Sequence, residues 1–391
     1  MKVLIAGAKS FLGRNLVAEL RNHGYSDLVF CEQDISDAEL EALTKDCGFV
    51  FHLAGAEAGI GESDKIANTL VFTEKLAGFL EKSELEEKPK LLLASSVQAA
   101  VKTPFGKKKQ AIEEIVENYG KNSGAETFVF RLPKLFGKWA DVEEEGSVAS
   151  YFHKIANDIS VIVQNPAQEL VLGYIDDVMD MFIDAIDGKL ENDNNGRYSL
   201  EITHRITFGV LIELLRTFKQ MRKSGVISTG GNAKSYWLKV PNMGDLLVKR
   251  LYSTYLSYLP EKDFACRLMT NTDKRGSVTD FIRTDDRGQI TIDVTLPGET
   301  RGSHWHHTKT ERYLVVSGEA VIKLSRVFDD DGNEGSKVVE YHVNSEKLTA
   351  VDIPPGYAHS IKNTGDSNLV TLIWCNEIFD PGRPDGYYKE V

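Results

Sequence analysis

The feature that most constrains this chain is a change of pattern along it. From Met1 to about Pro133, short continuous apolar runs (K-V-L-I-A, F-V-F-H-L-A, K-L-L-L-A-S-S, T-F-V-F-R-L-P) alternate with helical stretches such as F-L-G-R-N-L-V-A-E-L. Uninterrupted apolar strands separated by helices belong to a parallel sheet covered on both faces. From about Arg275 the chain turns to short strands broken by D-D-R-G, D-D-D-G-N and N-T-G-D-S, the spacing of an antiparallel sandwich or barrel. A chain of 391 residues has length for two such cores. The expected architecture is an α/β doubly wound domain over 1–248 followed by an all-β domain over 249–391. The region 134–248 adds helices, among them V-L-I-E-L-L-R-T-F-K, and a polar loop E-N-D-N-N-G. The aromatic segment L-Y-S-T-Y-L-S-Y-L-P, residues 251–260, reads as a docking arm between domains or subunits, against internal core packing as the alternative.

Charge and composition exclude several classes. With 46 basic and 58 acidic residues the net charge is −12, and no basic run exceeds Lys107-Lys108-Lys109, which argues against nucleic acid. No apolar stretch approaches a membrane span or a signal peptide, so a cytoplasmic protein without a membrane partner is expected. The four cysteines form no C-x-x-C pair and read as reduced thiols.

Directly after the first strand comes G-A-K-S-F-L-G, comprising Gly7, Ala8, Lys9, Ser10, Phe11, Leu12 and Gly13. A glycine turn that opens a helix presents free N–H groups to a pyrophosphate. Ser10 stands where the G-x-x-G-x-x-G pattern has its middle glycine, and its Cβ faces the phosphates. Further along are H-L-A-G (His52, Leu53, Ala54, Gly55), Asn68, Ser95-Ser96, Lys109, R-L-P-K-L-F-G and Y-I-D-D. In this order the segments resemble the extended short-chain dehydrogenases, a Rossmann-like family. The resemblance implies that H-L-A-G closes the cofactor cleft and that Ser96 polarises a substrate carbonyl. Glu32 and Asp34 at the end of the second strand favour NAD(H), Lys9 favours NADP(H), and both forms stay open.

That family places tyrosine and lysine four residues apart on one helix face, where the cation lowers the phenol pKa. Here Lys109 is present and Phe105 occupies the tyrosine position. Lys134 takes the place of a substrate-contacting asparagine and reads as a substitute acid, as a diphosphate contact or as a solvated lysine. The reductase half is therefore expected to be slow or silent.

Five of the nine histidines follow residue 300. Gly298, His304, His306, Glu311 and Gly318 fit the spacing G-x5-H-x-H-x4-E-x6-G, and Pro354, Gly356, His359 and Asn363 fit P-x-G-x-x-H-x-x-x-N, the two motifs of the cupin (jelly-roll) barrels. Alternate strand residues point to one side, so His304, His306, Glu311 and His359 are expected to converge on a metal. Zn²⁺ is the expected ion, with Fe²⁺, Mn²⁺ and Ni²⁺ as the other metals this donor set accepts. His307 is expected to point away and His342 to lie on the surface. R-G-S-H also resembles the R-G-x-H of sugar-nucleotide epimerases, whose histidine removes a proton alpha to a carbonyl. A metal-bound His304 is not free for that role, which leaves a polarising metal with another base, a structural metal, or no metal in the active form.

A dehydrogenase followed by a cupin, with L-Y-S-T-Y-L-S-Y-L-P, H-W-H-H-T-K, L-V-V-S-G, V-D-I-P and F-D-P, is similar to the CapF family of capsular polysaccharide enzymes over essentially the whole chain. The resemblance implies a homodimer acting on a UDP-linked 4-keto-6-deoxy-N-acetylhexosamine. The cupin domain would epimerise C3 of a UDP-2-acetamido-2,6-dideoxy-hexos-4-ulose. The dehydrogenase domain would reduce the 4-keto group with NADPH to a UDP-N-acetyl-6-deoxy-talosamine, toward UDP-N-acetyl-L-fucosamine. The family motif Y-G-x-x-K reads F-G-K-K-K here, so an epimerase with a silent dehydrogenase domain stands as the alternative, and a non-catalytic sugar-nucleotide-binding module as a third reading.

Overall fold

The computed structural model describes residues 1–55, 63–143, 147–190, 197–222, 225–229, 232–236, 238–329, 334–335 and 337–391. The polar loop expected at 191–196 and most of the D-D-D-G-N turn lie outside them. Two compact units emerge, one of Met1–Leu215 with Ser253–Leu259, the other of Arg216–Tyr252 with Pro260–Val391.

The first unit runs β1 (Val3–Ala6), α1 (Phe11–Asn22), β2 (Leu28–Cys31), α2 (Asp37–Thr44), β3 (Phe49–His52), α3 (Ser63–Glu81), β4 (Lys90–Ser96), α4 (Pro104–Ser123), β5 (Thr127–Leu132), β6 (Lys134–Phe136), α5 (Val148–Ala156), β7 (Glu169–Tyr174), α6 (Ile175–Ile186), β8 (Arg197–Tyr198) and β9 (His204–Thr207). Six strands form a parallel sheet in the order β2-β1-β3-β4-β5-β8, while β6, β7 and β9 form a small separate sheet. The apolar runs bury both faces by strict alternation. Val3, Ile5, Phe49, Phe51 and Leu92 pack with α1 and α6 on one side. Leu4, Ala6, Val50, Leu91 and Leu93 pack with Leu76 of α3 and Val116 of α4 on the other. The strand order reverses between β1 and β3, and in open α/β sheets ligands bind outside the carboxyl ends of the strands at such a switch point.

α7 (Phe208–Met221) begins in the first unit and ends in the second, a hairpin of β10 (Gly225–Thr229) and β11 (Asn232–Tyr236) follows, and α8 (Leu246–Ser257) returns the chain to the first unit. The all-β part comprises β12 (Thr270–Asp273), β13 (Gly276–Thr284), β14 (Gly288–Thr295), β15 (Thr300–Trp305), β16 (Glu311–Ser317), β17 (Glu319–Arg326), β18 (Val338–Asn344), β19 (Ala350–Ile353), β20 (Tyr357–Asn363), β21 (Leu369–Cys375) and β22 (Tyr387–Tyr388). Two antiparallel sheets result, β12-β13-β14-β21-β16-β19 and β18-β17-β20-β15-β22. Tyr313, Val315, Val351 and Ile353 of the first and Ile322, Leu324 and Ile361 of the second share one core. The fold class is the one expected, a Rossmann-like unit followed by antiparallel sheets.

The aromatic segment is not an exposed arm. Leu251, Tyr252 and Tyr255 are buried, and the Tyr258 hydroxyl donates to the Gly137 carbonyl at 3.0 Å while accepting from the Ala140 amide at 3.2 Å. Within its own unit Tyr252 packs on Phe218, and within the other Tyr258 packs on Phe152. No helix among the described residues is long and apolar enough to cross a membrane.

Candidate functional sites

At the carboxyl end of β1, Gly7 adopts φ +91°, and a Cβ there would meet the Ala54 backbone nitrogen at 2.9 Å. Gly13 has no room either, since a Cβ would sit 2.2 Å from the Gly7 carbonyl oxygen. Both glycines thus serve close backbone approach, as the motif requires. Ser10 caps α1, its hydroxyl accepting from the Gly13 N–H at 3.0 Å. That bond occupies one of the amides a phosphate would otherwise use. No acidic residue stands in the first turn of α1. Phe11 and Leu12 turn their side chains into the core, so neither side chain faces a ligand.

Gly7, Lys9, Ser10, Glu32, Asp34, Leu53, Ala54, Gly55 and Asn68 line a cleft of ≈ 780 Å³. The cleft gathers Gly7, Lys9, Ser10, Asp34 and the segment Leu53–Gly55 of the expected set, while Phe11, Leu12, Gly13 and Lys109 are not part of its lining, and the glycine cradle has room for a pyrophosphate. His52 lies behind the cleft, fully buried, its Nε2 2.7 Å from Thr73 Oγ1. Burial pushes its pKa down to about 3, which keeps it neutral and structural.

Ser96 ends β4, and Phe105 and Lys109 sit one turn apart on α4. The Lys109 ammonium is buried, donates to the Gly55 carbonyl at 2.6 Å and stands 5.8 Å from the centroid of the Phe105 ring. Burial, opposed by the nearby Glu113 carboxylate, lowers its pKa to about 8. A buried lysine therefore holds the backbone of Gly55, which lines the cleft, beside a ring with no proton to give. The Ser96 hydroxyl accepts from the Gln98 amide at 3.2 Å and keeps its own proton for another acceptor. Lys134 is exposed on β6, outside the lining of the cleft.

An ion pair that no sequence motif marks braces this corner. Glu113 is fully buried and accepts from Ser95 Oγ at 2.6 Å and from Arg131 Nε at 3.0 Å and Nη2 at 2.5 Å. Glu113 is on α4 and its partners come from β4 and β5, a pairing that spacing along the chain does not reveal.

In the second unit one nitrogen each from His304, His306 and His359 and a carboxylate oxygen of Glu311 lie within 4.8 Å of one another. His304 and His359 face each other across β15 and β20, and Glu311 reaches in from β16 of the other sheet. The strand alternation expected to align His304 with His306 is modified by a bulge between Gly302 and His304, with Ser303 at φ +59°. His306 follows just after β15.

Burial and the neighbouring imidazoles hold the His304 pKa down to about 4. Glu311 is pushed up by burial but held well below the carboxylate range by His306 and His359. It also accepts from Tyr313 Oη at 3.1 Å and from Cys375 Sγ at 3.3 Å. Nδ1 of His359 is buried without a hydrogen-bond partner. Three imidazoles and an ionised carboxylate make a donor set that fits a divalent transition metal.

A residue that sequence reasoning missed completes this site. The Asp385 carbonyl accepts from Nδ1 of His306, which fixes the tautomer and leaves Nε2 facing Glu311 at 3.5 Å. Its carboxylate accepts from the amides of His307, Thr308 and Lys309 at 2.9, 2.8 and 3.0 Å. Against the upward push of desolvation, these bonds hold the Asp385 carboxyl far below its usual range. The surrounding cavity, ≈ 640 Å³, is also lined by Arg283, Lys309, Phe379 and Tyr388. As expected, His307 points away and packs on Trp305 and Tyr387, and His342 is exposed.

The NAD dependent epimerase/dehydratase family model matches residues 3–200, and the polysaccharide biosynthesis C-terminal domain matches 271–387. The chain is 36% identical over 392 residues to a UDP-2-acetamido-2,6-beta-L-arabino-hexul-4-ose reductase of Pseudomonas aeruginosa, covering 100% of this chain and 99% of that protein. It is 37% identical to the crystallised capsular polysaccharide assembling protein CapF of Staphylococcus aureus, with all of both chains covered and a TM-score of 0.82. A UDP-glucose 4-epimerase of Thermotoga maritima, 20% identical with a TM-score of 0.52, covers 66% of this chain and shares the fold. A nicotinamide cofactor and a nucleotide-sugar enzyme follow from these matches, and the chain belongs to the CapF family, within the NAD dependent epimerases and dehydratases.

Proposed function

We propose that this chain acts on a UDP-linked 4-keto-6-deoxy-N-acetylhexosamine, epimerising C3 in the second unit and reducing the 4-keto group in the first, toward UDP-N-acetyl-L-fucosamine. The observation that carries the reading is the presence in one chain of a glycine-cradled dinucleotide cleft and a three-histidine, one-glutamate cluster. Full-length identity to a 4-keto-sugar reductase supports it. A 4-keto sugar is the substrate both chemistries require, because its carbonyl accepts hydride at C4 and acidifies the proton at C3.

In the second unit His304, His306, Glu311 and His359 would hold Zn²⁺, which when bound supplies a Lewis acid for a carbonyl or a structural cross-link. His304 in that set is not the base for C3, so the proton passes through another group lining the cavity, of which Lys309 and Tyr388 are candidates. In the first unit Ser96 would donate a hydrogen bond to the 4-keto oxygen and Lys109 would hold the cofactor side of the cleft. The proton that accompanies hydride comes from water or from Lys134, since Phe105 supplies none. Loss of a general acid leaves a reaction slower by about a hundredfold to ten-thousandfold rather than abolished.

Phe105 favours one second reading, an epimerase whose first unit binds nucleotide without hydride transfer. The test supplies the 4-keto UDP-sugar with NADH or NADPH and follows cofactor absorbance for wild type and Phe105→Tyr. Oxidation by wild type above a no-enzyme control supports the bifunctional reading. No oxidation by wild type, with recovery in Phe105→Tyr, leaves the epimerase alone. The homodimer implied by family resemblance is checked by light scattering of the purified protein.

A further inference from the structure

We propose that Tyr313 and Cys375 are positioning residues that hold the Glu311 carboxylate in the donor set, an inference that rests on the reading of His304, His306, Glu311 and His359 as a metal site. Glu311 opens β16, and Tyr313, two residues on, points to the same side of that strand. The Tyr313 hydroxyl donates to Glu311 Oε2 at 3.1 Å. On the neighbouring strand β21, Cys375 stands opposite Glu311 in register, and its thiol donates to Oε1 at 3.3 Å. All three side chains are buried, so water does not stand in for either donor.

A carboxylate offers about four lone-pair sites, shared between its two oxygens. Here each oxygen is engaged by one donor that is not a metal ligand and also faces an imidazole of the cluster. Nε2 of His359 lies 3.2 Å from Oε2, and Nε2 of His306 lies 3.5 Å from Oε1. The phenol and the thiol thus fix the carboxylate while leaving each oxygen capacity on the side of the histidines.

The same cavity supplies the competitor that makes such a hold necessary. Arg283 and Lys309 line it together with Glu311. Arg283 is paired with Asp280. Among the described residues the Lys309 ammonium meets the Phe379 ring, 5.6 Å from its centroid, and no carboxylate. A Glu311 carboxylate released from the phenol and the thiol is drawn to that ammonium in place of an ion.

Competition for Zn²⁺ against a chromophoric chelator tests this in the full-length protein without turnover. Tyr313→Phe keeps the ring in the core and removes only the hydroxyl, and it is expected to weaken Zn²⁺ binding about 10- to 100-fold. The thiol is the weaker donor, so Cys375→Ala is expected to cost less, about tenfold at most, and Cys375→Ser to recover most of that loss. In a Glu311→Gln background Tyr313→Phe should cause no further loss, because the hydroxyl acts through the carboxylate. The visible absorption of bound Co²⁺, which follows its donors and their geometry, should move in Tyr313→Phe toward that of Glu311→Gln.

A Tyr313→Phe protein with the Zn²⁺ affinity and Co²⁺ spectrum of wild type overturns the proposal. So does an equal loss in the Glu311→Gln background, which would assign the hydroxyl to His359, whose Nε2 is 3.3 Å away. A Cys375→Ser protein no better than Cys375→Ala would reduce the thiol to packing and overturn its part. Wild type that takes up neither Zn²⁺ nor Co²⁺ refutes the metal reading itself, a result distinct from unchanged affinity in the variants. Circular dichroism checks the fold of each variant, and the two Cys375 variants carry the test should Tyr313→Phe unfold.

Discussion

Replacing Asp385 by asparagine tests whether the C-terminal segment belongs to the metal site. The carboxylate accepts three backbone amides and the Thr308 hydroxyl, the last at 3.2 Å. Hydrogen bonds to a charged group contribute about 1.5–3 kcal/mol each when shielded, but His307 and Thr308 are exposed, so much of this is discounted for solvent. A total of about 2–3 kcal/mol for the clamp is reasonable. Thr308 and Lys309 both donate to Oδ2, so asparagine with its oxygen there loses the His307 bond and the charge that strengthens the others, about half of the clamp. The consequence for the metal runs through the Asp385 carbonyl, which orients His306. Loss of such a supporting bond typically weakens metal binding about 10- to 100-fold. The assay is competition for Zn²⁺ against a chromophoric chelator, with wild type and Asp385→Asn run side by side. Equal zinc affinity in the two proteins would refute the reasoning, because it would mean that His306 is held without its Asp385 partner.

Phe105→Tyr, with Lys109 four residues on, is expected to raise the rate of 4-keto reduction about 10²- to 10⁴-fold, read as cofactor oxidation; an unchanged rate would mean that another acid already acts. Lys109 has a folded pKa of about 8 against 10.5 in the unfolded chain. The unfolded chain therefore holds more protons between these values, and stability rises with pH from about 8 to 10.5, by up to about 3 kcal/mol. Lys109→Met should remove that part of the rise in urea titrations of the first unit, and superimposable pH profiles would contradict it. Arg131→Met strands the buried Glu113 carboxylate and should cost about 3–5 kcal/mol, whereas a change below 1 kcal/mol would show that Ser95 alone satisfies it.

The parallel sheet was legible because β1, β3, β4 and β5 are uninterrupted apolar runs, which only a sheet covered on both faces tolerates. The metal cluster was legible because strand alternation converts a fixed spacing of His304, His306, Glu311 and His359 into one convergent point, even though a bulge at Ser303 adjusts the register. What stayed hidden depends on contacts between distant segments. Asp385 lies 79 residues from His306 in sequence, and D-P-G-R-P-D-G reads simply as a turn. The aromatic content of 251–260 suits a docking arm and a core equally, and only the packed structure shows which neighbours cover Tyr252 and Tyr258. Lys134 was legible as a replacement in R-L-P-K-L-F-G, but it was not legible that β6 joins the small sheet with β7 and β9 and leaves the side chain exposed.

The central claim, that this chain handles both the C3 proton and the 4-keto group of one UDP-sugar, is tested most directly in heavy water. The 4-keto UDP-sugar is incubated with the full-length protein, first without and then with reduced nicotinamide, and carbon-bound deuterium is located by mass spectrometry and NMR. Deuterium is expected at C3 without cofactor, and a C4 alcohol that retains the C3 label once cofactor is added. Absence of C3 deuterium under both conditions would contradict it, since the histidine cluster would then have no part in proton exchange.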